Sequence, residues 1–192
     1  EFSSEDIIVK SIQKIKWDSS LNNIKNFEFK ENFYDSREMH NLLVSFYKYG
    51  FVIIKNIPNK KNYIVEFANS IGSVRRTNFG EYFDVKSKPN PNDLAYTSLA
   101  LAPHTDNPYR NPVPCIQLLH CIESKVSGGL STLVDGFTVT EDLKNKYPKF
   151  YKILNEVKVR FRFIDKEVVL ESISPLIELN DDKSFKQVRF SP

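Results

Sequence analysis

"LALAPHTDNPYRNPVPCIQLLHC", Leu99–Cys121, is the stretch that most constrains the fold and the function of this sequence. It holds two of the chain's three histidines, with Asp106 two residues after His104 and several prolines around them. In extended backbone, residues i and i+2 face the same side, so the side chains of His104 and Asp106 can reach one metal ion. The pattern predicts a metal site for which these two residues supply part of the ligand set.

One imidazole and one carboxylate are typical of a particular class of iron site. Two histidines and one carboxylate on one face of an octahedron form the facial triad of non-haem Fe(II) oxygenases, which leaves positions open for cosubstrate and dioxygen. The pair alone is also compatible with an ordinary polar loop. His120 is a second candidate ligand, but it lies among large apolar residues, and we interpret it as a core histidine with satisfied hydrogen bonds.

The composition limits the kinds of protein that this chain can be. Its 192 residues, 41% hydrophobic and 27% charged, suffice for one domain with a buried core. The net charge of +3 comes from scattered lysines without a nucleic-acid motif, so we expect no nucleic-acid partner. No apolar stretch approaches the roughly 20 residues of a membrane span, and no signal peptide opens the chain. Cys115 and Cys121, about 20 Å apart in a predicted strand, cannot pair there, which favours a reducing, cytoplasmic setting.

Hydrophobic periodicity predicts an α+β fold of short strands with helices packed outside them. "DSREMHNLLVSFYKYG" predicts a helix, with Asp35 and Glu38 at capping-box spacing and Gly50 at its end. Further helices are predicted in "NYIVEFANSIG" and in "TEDLKNKYPKFYKILNEV", where Pro148 starts the second half. Strands are predicted in "NFEFK", "FVIIKNIP", "CIQLLHCI", "VKVRFRFI" and the part of "SGGLSTLVDGF" that ends at Asp135. The final residues predict a hairpin that turns at Asp181–Asp182.

A close resemblance to the γ-butyrobetaine hydroxylases and their relatives is carried by two segments, "FGEYFDVKSKPNPNDLAYTSLALAPHTDNPYRNPVPCIQLLHC" and "GGLSTLVDGF". These enzymes belong to the Fe(II)/2-oxoglutarate dioxygenase superfamily, which includes taurine dioxygenase. The resemblance is dense from Phe79 to Phe137 and collinear from Trp17 to Pro192. It implies a double-stranded β-helix (jelly roll) with flanking helices, formed by one domain over residues 1–192 that is incomplete at its C-terminus.

The same resemblance implies roles for particular residues. His104 and Asp106 match two of the three iron ligands, and Leu119 and Ser131 match positions beside 2-oxoglutarate. Phe79, Phe83 and Tyr96 match positions at which relatives place aromatic rings around a trimethylammonium group. Asp93 lies close by in the same loop, where we expect it to affect substrate choice. A quaternary ammonium cannot donate hydrogen bonds, so ring faces attract it through their quadrupoles, at about 0.5–2 kcal/mol each. The rings are also compatible with ordinary core packing, and Ser131 with a local hydroxyl hydrogen bond.

The resemblance further implies parts that these residues do not supply. In the family the third iron ligand is a histidine after the "GGLSTLVDGF" region, followed by an arginine that pairs with 2-oxoglutarate, whereas no histidine follows His120 here. We therefore expect an N-terminal portion of the usual enzyme, which holds iron weakly alone. Its open sheet edges would be covered by further residues, by a completing chain or in a homodimer.

The leading interpretation is hydroxylation of a small trimethylammonium compound, with γ-butyrobetaine as the leading candidate. The resemblance implies Fe(II), 2-oxoglutarate as cosubstrate and ascorbate as an auxiliary reductant. Two alternatives stay open. One is a hydroxylase of an aminoalkyl phosphonate or sulfonate, whose anionic end Arg75, Arg76 or Arg110 would bind. The other is a catalytically incomplete fragment.

Overall fold

The computed structural model describes residues 12–86, 101–125, 128–165 and 168–191. The chain divides into two compact units, Glu1–Lys60 and Lys61–Pro192. Each unit contains both helix and short strands among its described residues, which agrees with the predicted α+β class. Within the described ranges, none of the helices has the length and apolar character needed to cross a membrane.

The first unit is a helix packed with a two-stranded parallel sheet. Its elements are β1 (Asn26–Glu28), α1 (Arg37–Tyr49) and β2 (Ile53–Lys55). The strands "NFEFK" and "FVIIKNIP" are thus confirmed, and their pairing sets Phe27 opposite Ile54. The apolar stripe of α1 faces a small core, whose buried members are Phe27, Phe33, Met39 and Leu42.

Helix α1 begins one residue later than the capping-box spacing predicts. Ser36, rather than Asp35, caps it, because the Ser36 hydroxyl accepts a hydrogen bond of 3.3 Å from the Met39 N–H. Its end is as predicted: Gly50 has φ +78°, a left-handed conformation in which its N–H donates to Phe46 O at 2.7 Å.

In the second unit, the described residues form three helices and two antiparallel pairs of strands. The helices are α2 (Tyr63–Ile71), α3 (Gly136–Lys146) and α4 (Pro148–Glu156). The strands are β3 (Val159–Asp165), β4 (Val168–Ser174), β5 (Ile177–Leu179) and β6 (Phe185–Val188), paired β3–β4 and β5–β6. All three helices, the strand in "VKVRFRFI" and the hairpin around Asp181–Asp182 are therefore confirmed.

Local chemistry explains where these elements begin. Asp135 accepts a hydrogen bond from the Phe137 N–H at 3.0 Å and so caps α3, and Pro148 occupies the first turn of α4. Side-chain exposure alternates along β3, as its alternation of apolar and basic residues predicts. On its exposed face Arg160 and Arg162 lie 3.9 and 3.7 Å from Glu171 of β4, while the opposite face carries Phe163.

Two predicted strands are wrong. Residues 115–122 and 130–135 form no strand, and many of their apolar side chains are exposed, including Leu119 at 71% and Leu130 at 94%. A strand requires a neighbour for its backbone hydrogen bonds, and none of the described residues pairs with either segment in a sheet. Within the described ranges the three sheets have two strands each and do not close into a barrel.

Candidate metal and substrate site

The His-x-Asp pair converges as its two-residue spacing predicts. His104 Nε2 and Asp106 Oδ1 lie 3.1 Å apart, and the two side chains are 34% and 37% exposed. The segment that carries them is irregular, not a strand. The convergence therefore comes from the local backbone around Thr105 and leaves both donor atoms open to an incoming ion.

The second ring nitrogen of His104 is held by the backbone. His104 Nδ1 lies 2.8 Å from Ala102 O, a carbonyl that can only accept, so Nδ1 donates there, and Nε2 is the ring nitrogen that faces Asp106. An imidazole whose second nitrogen donates to a backbone carbonyl is the usual arrangement of a metal-ligating histidine.

The separation of the two donor atoms also suits a transition metal. With metal–ligand bonds of about 2.1 Å, two donors at neighbouring corners of an octahedron lie about 3.0 Å apart. The measured 3.1 Å between His104 Nε2 and Asp106 Oδ1 matches that value. Among the described residues, however, no group of three or more His, Cys, Asp or Glu side chains could hold a metal ion. The pair fits Fe(II) as two ligands of an incomplete set.

The loop that carries the pair is hydrogen-bonded to the residues that follow β6. The Thr105 N–H donates to Phe190 O at 2.7 Å, and the Phe190 N–H donates to Thr105 Oγ1 at 2.9 Å. No local sequence pattern indicates this role of Phe190, because Phe190 and Thr105 are 85 residues apart.

An aromatic cluster lies beside this loop. Phe79 contacts Phe83 and Phe163 with ring centroids 5.6 Å apart in both cases, and Tyr109 stacks on Phe163 at 5.0 Å. Phe83 is 47% exposed, while the other three rings are half-buried. Phe79 and Phe83 were singled out from the sequence. Tyr109 and Phe163 were missed, although Tyr109 stands three residues after Asp106 and Phe163 lies on the inner face of an alternating strand.

The remaining predicted site residues are not gathered with these. Asp93 and Tyr96 lie outside the described residues. Leu119 and Ser131 are exposed, and within the described part of the chain neither forms a hydrogen bond or ion pair with the His104–Asp106 pair. Their proposed place beside 2-oxoglutarate stays a prediction.

His120 differs from the satisfied core histidine that its surroundings suggested. Its side chain is only partly exposed, and its Nδ1 atom is buried without a hydrogen-bond partner among the described residues. The ring sits in the irregular segment 115–122, so the expected sheet neighbours are not beside it.

Two of the arginines considered for an anionic substrate are engaged with the chain itself. Arg75 Nη1 donates to Pro112 O at 2.9 Å. Arg110 donates to Asn107 Oδ1 at 3.4 Å and also to Asn78 Oδ1. Their guanidinium groups therefore connect the turn around residues 75–80 to the loop of the His-x-Asp pair.

Comparison with known proteins places this architecture in a family. The profile of the taurine catabolism dioxygenase TauD, TfdA family matches residues 17–192, and the chain belongs to this family. It is 34% identical over 142 residues to a γ-butyrobetaine dioxygenase of Pseudomonas sp. (strain AK-1), covering 74% of this chain and 37% of that protein.

Two mammalian proteins are similar to a comparable degree. The human γ-butyrobetaine dioxygenase is 30% identical over 178 residues, covering 91% of this chain and 46% of that protein. The bovine mitochondrial trimethyllysine dioxygenase is 33% identical over 137 residues, covering 70% of this chain and 32% of that protein. The matched regions thus span less than half the length of each of these relatives.

Proposed function

We propose that the whole protein is an Fe(II)- and 2-oxoglutarate-dependent hydroxylase of a small trimethylammonium compound, with γ-butyrobetaine as the leading substrate. One observation carries the proposal: a His104–Asp106 pair with metal-ligand spacing, in which the other ring nitrogen of His104 lies on a backbone carbonyl. Family membership and the named activities of the relatives support the reaction type.

In this proposal His104 Nε2 and an Asp106 carboxylate oxygen hold the iron. A third ligand and the arginine that pairs with the far carboxylate of 2-oxoglutarate come from protein outside these 192 residues, as a continuation or a second chain. When bound, iron and 2-oxoglutarate supply the dioxygen activation that hydroxylation of an unreactive C–H bond needs. Leu119 and Ser131 border the cosubstrate, and ascorbate keeps the metal reduced.

The substrate class rests on the aromatic cluster. Phe79, Phe83, Tyr109 and Phe163 form a contiguous set of rings with centroids 5.0–5.6 Å apart, and Tyr109 lies on the same loop as the His104–Asp106 pair. A trimethylammonium group fits such a surface because it is cationic, apolar and unable to donate hydrogen bonds. In the proposal Tyr96 extends this surface, and Asp93 contributes to substrate choice. Since Arg75 and Arg110 donate to groups of the chain itself, the phosphonate or sulfonate alternative has less support.

The proposed fold of the whole protein is a double-stranded β-helix. The exposed apolar side chains of residues 115–122 and 130–135 support it, because they would be buried if both segments paired with further strands. We place the protein in the cytoplasm, since Cys115 and Cys121 are both free thiols. A homodimer is the proposed assembly if the completing strands come from a second chain.

The substrate proposal is tested by succinate release from 2-oxoglutarate in the whole protein with Fe(II), ascorbate and a matched panel of amines. The panel pairs γ-butyrobetaine with γ-aminobutyrate and trimethyllysine with lysine, so that each pair differs only in its N-methyl groups. We expect a trimethylated compound to stimulate release well above its unmethylated partner. Equal stimulation within each pair, or none by any compound, contradicts the proposed substrate class.

A further inference from the structure

Arg189 is the one charged residue that is buried among those the structure describes, with only 4% of its surface exposed. It directly follows β6, and its backbone N–H donates to Leu176 O at 2.8 Å. Burial of a guanidinium costs free energy unless hydrogen bonds and a counter-charge compensate it. The hydrogen-bond and ion-pair partners of the Arg189 side chain therefore identify the part of the chain that it positions.

The guanidinium binds the backbone just after the metal pair. Arg189 Nη1 donates to Pro108 O at 2.9 Å and to Arg110 O at 2.8 Å, and it lies 3.4 Å from Ser172 Oγ on β4. Pro108 and Arg110 follow Asp106 by two and four residues. The planar group thus fixes the course of the loop as it leaves Asp106.

Glu178 on β5 provides the counter-charge. Its Oε2 atom lies 3.7 Å from Arg189 Nε, and its two oxygens accept hydrogen bonds from Lys186 at 2.6 Å and Gln187 at 2.5 Å. The hydrogen bond from Lys186 holds the pKa of the Glu178 carboxyl below its ordinary value, although partial burial opposes that shift. The carboxylate is therefore ionised at neutral pH and balances the buried guanidinium.

The neighbouring residue holds the loop on its other side. Phe190 exchanges backbone and hydroxyl hydrogen bonds with Thr105, which immediately precedes Asp106. Two successive residues, Arg189 and Phe190, therefore bind the chain before and after Asp106. We call these contacts of Arg189 and Phe190 on either side of Asp106 the bracket. They join residues that are 79 to 85 positions apart in the sequence, so the bracket is a tertiary feature and not a local turn.

We propose that Arg189 is a positioning residue for the iron ligands: by bracketing Asp106 together with Phe190, it maintains the separation between Asp106 and His104. The inference rests on the proposed function, since it concerns the same pair of ligands. Arg189 makes no contact with either ligand side chain among the described contacts and acts only through the loop backbone. Partners that hydrogen-bond metal ligands directly contribute about 10–100-fold to metal affinity, and we expect an effect of that order from a residue that holds the ligand loop.

The test measures Co(II) binding, with Co(II) standing in for Fe(II), by calorimetry in the whole protein and in Arg189→Met and Arg189→Lys. We expect Arg189→Met to bind about 10–100-fold more weakly. Arg189→Lys keeps the charge but replaces the Nη1 donor of the guanidinium with the ammonium of a shorter side chain, so its affinity should fall between those of Arg189→Met and the unaltered protein. If Arg189→Met does not fold, the comparison of Arg189→Lys with the unaltered protein is the test.

Ile177→Ala is the matched control, because Ile177 is 3% exposed on β5 and its side chain lies in the apolar core. It should lower the free energy of unfolding. Co(II) affinity should stay within about twofold of the unaltered protein, because the loop that carries His104 and Asp106 keeps its hydrogen bonds to Arg189 and Phe190. A folded Arg189→Lys variant with unchanged affinity, or an Ile177→Ala variant that weakens binding equally, overturns the inference.

A second readout separates this inference from the proposed function. If the unaltered protein binds no Co(II), the metal proposal fails. Amide hydrogen exchange then still tests the bracket: Arg189→Lys should speed exchange at Thr105 by about tenfold or more, and Ile177→Ala should not. Unchanged exchange at Thr105 in Arg189→Lys overturns the positioning role independently of any metal.

Discussion

Among single residues, Tyr109 offers the most direct test of how the substrate is recognised. Its ring stacks on Phe163 at 5.0 Å, and its hydroxyl donates to Asn107 Oδ1 at 2.5 Å. Removal of one ring face costs a bound trimethylammonium group about 0.5–2 kcal/mol, so Tyr109→Ala should raise KM for that substrate about 2–30-fold. Steady-state succinate release measures the change.

Tyr109→Phe is the matched control for that experiment. It keeps the ring face and removes only the hydrogen bond to Asn107, so its KM should remain close to that of the unaltered protein. If Tyr109→Phe raises KM as much as Tyr109→Ala does, the hydroxyl and not the ring is responsible. Recognition by ring faces would then be wrong at this position.

The residues of the site differ in how far sequence reasoning could find them. The approach of Asp106 to His104 spans two residues, so a local pattern could find it, although the segment is irregular and not the extended backbone that the prediction assumed. The hydrogen bonds of Arg189 to the loop join residues about eighty positions apart in the sequence. Nothing in the residues around Arg189 distinguishes it from the exposed Arg160 or Arg162. Tyr109 and Phe163 were missed for the same reason, since their contact joins a loop to a strand distant in sequence.

At the scale of elements, the start of α1 tests whether local chemistry defines the helix. Ser36→Ala removes the hydroxyl that accepts from the Met39 N–H and should lower the free energy of unfolding by about 1 kcal/mol. Asp35→Ala is the matched control, because Asp35 is exposed and does not cap the helix. Urea unfolding measures both, and a larger loss in Asp35→Ala than in Ser36→Ala contradicts the observed cap.

The two segments that were predicted as strands test the proposed fold. If the whole protein forms a double-stranded β-helix, amides of residues 116–120 and 131–134 should exchange at least about a hundredfold more slowly than those of the exposed turn at Asp181–Asp182. Hydrogen exchange followed by mass spectrometry measures this directly. Exchange as fast as in the turn would contradict strand formation in both segments.

Elements held by local signals were predictable, whereas those that depend on distant partners were not. Glycine marks the C-terminal ends of α1 and α2, and proline marks the start of α4. The β5–β6 turn follows from its Asp-Asp pair and the flanking strands. Residues 115–122 have the composition of a buried strand, but composition does not provide a neighbouring strand. Their irregular, exposed conformation follows from the absence of sheet pairing among the described residues.

At the scale of the whole molecule, family membership and the metal pair point to the same chemistry from independent evidence. The family profile reflects similarity along residues 17–192, whereas the pair is a matter of two donor atoms 3.1 Å apart. The relatives named for γ-butyrobetaine and for trimethyllysine resemble this chain to nearly the same degree, at 30–34% identity. Substrate identity therefore has to come from the aromatic cluster and from assays.

The most direct measurement is 2-oxoglutarate-dependent oxidation of the proposed trimethylammonium substrate by the whole protein, with His104→Ala and Asp106→Ala compared against His40→Ala. His40 is an exposed histidine on α1, so its variant controls for loss of an imidazole away from the loop. The account predicts that both ligand variants lose at least about 100-fold in turnover and in Fe(II) affinity, while His40→Ala retains both. Undiminished substrate oxidation in either ligand variant would contradict it.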